Sequence, residues 1–212
     1  MRPITKTIVI AASTIALCLG LTACGGGHSS STDSAASNNS AASSEKTAPA
    51  AQEENKDVDF YMFKGEMPEG YGLTGPNGNS SPLNIVEFRN IENPDKIVDI
   101  EIDEGSAQEQ FDKSAAKDKY TAGDDVKLGK YTWKTLNFTW NKQPSVVLYT
   151  DIAEGLYAEV TLYETTLDDT AIKAFLEGVE FATDYDAAHK AGMDTTVEKF
   201  AANNNLKLWE AK

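Results

Sequence analysis

The chain has 212 residues, 41% of them hydrophobic, and its 33 acidic against 19 basic residues give a formal net charge of -14. So acidic a balance argues against nucleic acid as a partner, because its binders carry basic patches, and it disfavours adhesion of a folded domain to an anionic membrane surface. The two cysteines, Cys18 and Cys24, both lie near the start, so nothing downstream can form a disulfide, a cysteine nucleophile or a zinc–thiolate site.

Arg2 and Lys6 open the chain, and an apolar run follows from Thr7 to Leu21. The run is shorter than the about 20 apolar residues of a spanning helix. A basic start, a short apolar core and small residues at its end describe a cleaved secretory signal over residues 1–23. Leu21-Thr22-Ala23-Cys24 resembles the lipobox of bacterial lipoproteins. That resemblance implies cleavage before Cys24, acylation of Cys24, and the membrane as a partner through the lipid anchor. It also implies a place on the bacterial cell membrane, with the domain facing outside the cytoplasm. Two or three acyl chains, at about 0.8 kcal/mol per buried methylene, anchor durably where one is marginal. Without Arg2 and Lys6 the charge of -14 becomes -16. From Cys24 to Asp57 the chain is rich in Gly, Ser, Ala and Asn and lacks aromatic and large aliphatic residues. Such a composition predicts a disordered tether, with an r.m.s. span of about 30 Å.

Order is expected from Val58. The apolar, aromatic-rich Val58–Phe63 precedes a turn-forming Met67-Pro68-Glu69-Gly70-Tyr71-Gly72. Leu83–Phe88 and Lys96–Ile102 read as a hairpin split by Asn93-Pro94-Asp95; in the second, Val98, Ile100 and Ile102 alternate with Asp99 and Glu101. Ser106 and Glu109 fit a capping box, which predicts a helix to about Asp118. Tyr120–Asp125 reads as a polar connection. Three strands follow, Val126–Trp140, Pro144–Ala153 and Leu156–Glu164, with turns at Asn141-Lys142-Gln143 and Glu154-Gly155. In the last, Leu156, Ala158, Val160 and Leu162 share one face. In the first, Tyr131 and Trp133 oppose Leu136, Phe138 and Trp140, which suggests a bulge near Lys134 or Thr135. A helix should begin at Thr166 and bury Ile172, Phe175, Leu176 and Val179. Residues 183–212 read as a helical extension of the domain at 58–182.

Hairpins join most strands, so the class is α+β: an antiparallel sheet of about five to six strands packed with two or three helices. The element order and Met67-Pro68-Glu69-Gly70-Tyr71 resemble the PsbP-like fold over Val58–Ala182. Members of that fold mostly bind proteins or assist assembly, and the resemblance transfers no functional residue.

Catalytic constellations are scarce. His28 lies in the tether and His189 in the tail, no Gly-x-Ser-x-Gly elbow occurs, and the glycines lack a P-loop context. No cofactor and no resident metal is expected. Asp99, Glu101, Asp103 and Glu104 carry oxygen ligands suited to calcium, but three of them alternate along a strand, which reads more simply as a solvated sheet face. Asp124-Asp125 and Asp168-Asp169 are explained by a turn and a helix start. The aromatic residues Tyr149, Tyr157 and Tyr163, with Trp133 beside them, form the candidate binding surface, either open for stacking or covered by a helix.

The resulting expectation is a membrane-anchored cell-envelope lipoprotein, not an enzyme, whose domain binds a protein or envelope component. A carboxylate-dependent hydrolase of cell-wall glycan and a carrier of a small ligand or ion are the alternatives.

Overall fold

The computed structural model describes residues 57–211. The signal segment, Cys24, His28 and the tether up to residue 56 lie outside the described residues. β1 (Val58–Asp59) and β2 (Phe63–Gly65) lead into β3 (Tyr71–Thr74), β4 (Val86–Asn90) and β5 (Ile97–Glu104). Helix α1 (Ala107–Ala115) is followed by β6 (Thr121–Ala122), β7 (Val126–Leu128), β8 (Tyr131–Trp140), β9 (Gln143–Ala153) and β10 (Leu156–Tyr163). Helix α2 (Thr170–Gly178), strand β11 (Glu180–Phe181), α3 (Tyr185–Met193) and α4 (Val197–Asn204) complete the order. Among the described residues no helix is long and apolar enough to cross a membrane.

The fold is α+β. The main sheet has eight strands in the order β3-β4-β5-β10-β9-β8-β6, with β7 also on β8, and β1-β2-β11 form a second, small sheet. Its strand pairs are antiparallel. The sheet is larger than the expected five to six strands because the segment read as a polar connection supplies β6, and β3 and β7 are short strands that pattern alone does not separate from turns. Four helices form where two or three were expected. The β4–β5 hairpin pairs Phe88 with Val98 and Glu87 with Asp99.

Burial divides the molecule into layers. The inner face of the sheet carries Phe88, Val98, Ile100, Val160, Leu162 and Leu148, all fully buried. The small sheet and helices α2 to α4 cover it. Phe63 packs edge-on against Phe88, Phe175 and Phe181, at ring centroid distances of 6.4, 5.7 and 6.1 Å. Among the described residues the outer face is covered by α1, which lies across β8, β9 and β10.

The helix starts show which local signals acted. Asp169 caps α2, accepting from the Ala171 and Ile172 amides, so the helix begins later than the expected Thr166. The capping box on α1 does not form. Ser106 makes no side-chain cap bond; instead the Asp151 carboxylate on β9 accepts the Ala107 N–H at 2.7 Å. The expected bulge in β8 is absent too, since β8 pairs with β9 without a register shift. The irregularity lies between Leu156 and Tyr157. Strand β8 shows both parities of apolar residue because it is buried on both faces, Trp133 against the inner core and Leu136 beneath α1.

At the β3 edge the chain doubles back. Asn205 takes a left-handed conformation (φ 53°) and ends α4. Leu208 then pairs in parallel with Leu73, through bonds from the Leu73 N–H to the Lys207 carbonyl and from the Trp209 N–H to the Leu73 carbonyl, both 2.9 Å. Gly72 permits this approach, because a Cβ there would lie 2.7 Å from the Trp209 nitrogen.

Candidate functional site

The register of the main sheet collects the chemistry on its outer face. Opposite Glu87 on β4 stands Asp99 on β5. Opposite Glu101 stands Glu159 on β10, and Thr161 faces Asp99. Two carboxyl pairs therefore sit side by side on adjacent strands, an arrangement that is unfavourable when all four are ionised. Arg89 offsets part of the charge: its guanidinium donates to Glu87 Oε1 at 2.8 Å and lies over the Trp209 ring, 4.6 Å from its centroid.

The expected solvated sheet face is corrected by this geometry. Glu87 is buried, and Asp99, Glu101 and Glu159 are half-buried. Asp99 Oδ1 is buried without a hydrogen-bond partner. Burial, then the charges of Glu87 and Glu101, push the Asp99 carboxyl up to about 7, while Arg89 pulls the other way. Glu159 is likewise raised to about 7 by burial and by Glu101, against hydrogen bonds from Thr161 and Tyr149. Glu101 is raised by burial and by Asp103. Asp103 and Glu104 are exposed at the strand end. Among the described residues no group of three or more His, Cys, Asp or Glu is placed to hold a metal ion.

The four aromatic residues of the expected binding surface do not form one. Tyr149 and Tyr157 are covered by α1 and are 2% and 5% exposed. They form a second small core with Ala107, Leu136 and Val147, against which Phe111 and Ala115 pack. The Tyr149 hydroxyl bonds Ser114 of α1 at 3.1 Å, and burial drives both phenols above their usual range. Trp133 belongs to the other face. It is fully buried, with its ring 5.9 Å from Phe181 and 6.1 Å from Tyr131.

Tyr163 alone of the four stays at the surface. It joins a ladder of edge-to-face rings that the sequence reading missed: Tyr120 to Phe138 at 5.4 Å, Phe138 to Tyr163 at 6.0 Å, and Tyr163 to Trp140 at 5.3 Å. Trp140 ends the ladder 47% exposed. Lys119 places its ammonium 4.7 Å from the Tyr120 centroid, so a cation occupies the far end, while among the described residues no cation lies over the Trp140 ring. The charges of Asp99, Glu159 and Glu87 act on the Tyr163 phenol, which burial first and these charges next raise to about 12. Ladder and carboxyls thus form one acidic, aromatic strip. Outside it, His189 stacks on Tyr185 at 5.4 Å.

No protein-family model matches this chain, and no curated protein matches it. Its fold is similar to that of a crystal structure from Bacteroides thetaiotaomicron VPI-5482, with 13% sequence identity and a TM-score of 0.42 over 62% of this chain. The chain spans about half the length of that protein, 50%.

Proposed function

We propose that this chain is a lipid-anchored, non-catalytic binding module of a bacterial cell envelope, held by Cys24, whose outer sheet face takes a cationic protein or envelope component. The observation that carries the reading is the exposed Trp140 ring at the open end of an aromatic ladder bordered by Asp99, Glu87 and Glu159. Aromatic faces attract ammonium and guanidinium groups by about 0.5–2 kcal/mol, and Asp99 and Glu159, both raised to about 7, add negative charge as the pH rises past that value. The resemblance of the element order to the PsbP-like fold, whose members mostly bind proteins or assist assembly, supports a protein-binding role. A photo-crosslinking residue at position 140 of the membrane-bound chain should give a discrete adduct, and the same residue at exposed Lys173 on α2 should give none. Identical patterns at the two positions would sink the assignment.

A second reading, the carboxylate-dependent hydrolase, is favoured by the Asp99 and Glu159 carboxyls, since a group near 7 suits general acid work at neutral pH. Cleavage of cell-wall glycan by the purified chain, lost in Asp99→Asn or Glu159→Gln, would establish it in place of the first. The ion-carrier alternative predicts a calcium-dependent rise in melting temperature.

A further inference from the structure

A second recessed surface lies at the β3 edge, away from the Trp140 strip. A cleft of about 830 Å³ opens between the Met67–Tyr71 turn, helix α2 and residues 205–207. A neighbouring cleft of about 780 Å³ continues past residues 206–211 to α4. The two share Ile91, Leu206 and Lys207 as a common wall, so together they make one continuous groove. Each half is within the size of a small-ligand pocket, about 300–1,000 Å³, and the pair is shaped for something longer.

The walls state what that occupant must look like. The apolar part of the lining is Met67, Ile91, Phe175 and Leu206, with Ala201 in the second half. Helix α2 lines the groove with Thr170, Phe175 and the small residues Ala171, Ala174 and Gly178. A Cβ at Gly178 would meet nothing within 4 Å, so this wall leaves room for an incoming side chain. The Met67–Tyr71 turn is fixed by the Tyr71 N–H to Pro68 carbonyl bond at 3.2 Å and the Ile91 N–H to Gly70 carbonyl bond at 2.9 Å. The shape is therefore preformed.

The rim is acidic. Asp57, Glu66 and Glu69 line the first half and Glu198 and Glu210 the second, against Lys207 in the lining and Arg89 held over the Trp209 ring. None of these five carboxylates enters an ion pair among the described residues. Unpaired carboxylates along both halves of a groove with apolar lining complement an extended chain that offers cations at intervals and apolar side chains between them.

We infer that this groove binds a polypeptide segment in which lysine or arginine alternates with apolar residues. Apolar side chains enter over Ala174 and beside Leu206, and the cations reach the rim. The inference is independent of the Trp140 strip.

The test uses the full chain and three acetylated octapeptides of alternating residues: leucine–lysine, leucine–glutamine and serine–lysine. Isothermal titration and amide shift mapping should show the leucine–lysine peptide binding with shifts at Ala174, Ala202 and Leu206. Each control peptide should bind at least tenfold more weakly. Filling the cleft with Ala174→Trp, and separately removing charge with Glu66→Gln plus Glu69→Gln, should each weaken binding at least tenfold, with thermal melts confirming folded protein. Lys127→Ala, an exposed position that lines neither cleft, should leave it unchanged. Retained affinity in both groove variants would overturn the site. Equal binding of the serine–lysine peptide would overturn the apolar half of the inference, and equal binding of the leucine–glutamine peptide the charged half.

Discussion

Asp99→Asn should make the protein more stable at pH 8 and change little at pH 4. In the folded chain the Asp99 carboxyl is raised from 3.8 to about 7, with burial the first cause and Glu87 the second. A carboxyl raised on folding holds its proton longer in the folded state than in the unfolded one. Unfolding then releases a proton, and stability falls as pH rises from the unfolded value to the folded value. The window runs from about pH 4 to about pH 7. At about 1.36 kcal/mol per pH unit the full difference is about 4 kcal/mol. Solvent screening of a half-buried group, and Arg89 nearby, bring the expected effect down to about 2–3 kcal/mol. Urea denaturation of wild type and variant at half-unit steps from pH 4 to pH 8.5 gives the answer directly. The wild-type curve should slope downward across the window and the variant curve should be flatter, with a residual slope from Glu159. Two parallel curves, separated by the same gap at pH 4 and pH 8, would refute the argument that charge at Asp99 is what costs stability.

Asp151→Ala removes the acceptor of the Ala107 N–H and should cost about 1 kcal/mol, with faster amide exchange confined to α1. Leu136→Ala opens a space beneath α1 and should cost about 2–5 kcal/mol in chemical denaturation, with Tyr149 fluorescence reporting the loosened contact. Gly72→Ala would force the Trp209 backbone away from a Cβ at 2.7 Å. Exchange at the Trp209 and Leu73 amides should accelerate while α1 stays protected.

The strand periods were legible because water on one side and core on the other impose a two-residue rhythm. Val98, Ile100 and Ile102, and Ala158, Val160 and Leu162, occupy the inner face as their alternation predicts. The misplacement of Trp133 traces to one residue in a turn. Reading Asn141-Lys142-Gln143 as the connection pairs Thr135 with Tyr149 and puts Trp133 on the tyrosine face. The actual turn is the two residues Asn141 and Lys142, both at positive φ (46° and 68°), a geometry that matches strand twist. Lys134 then pairs with Tyr149, and every side chain of β8 moves to the other face. The carboxyl pairs were hidden for a related reason. Glu87 meets Asp99, and Glu101 meets Glu159, only through strand register, which no local pattern in either segment encodes. The Asp151 cap on α1 joins residues 44 apart in sequence, beyond the reach of a four-residue motif.

The parallel clip of residues 207–209 on β3 also bears on how copies of this protein meet one another. An uncovered sheet edge is a template for adding strands from neighbouring molecules, and its hazard grows with length and flatness. Here the β3 edge is occupied at Leu73 by the chain's own Leu208, and the opposite edge ends in the two-residue β6. Neither end of the eight-stranded sheet offers a long free ladder. Crowded together on a surface, such domains can touch without zipping into a shared sheet.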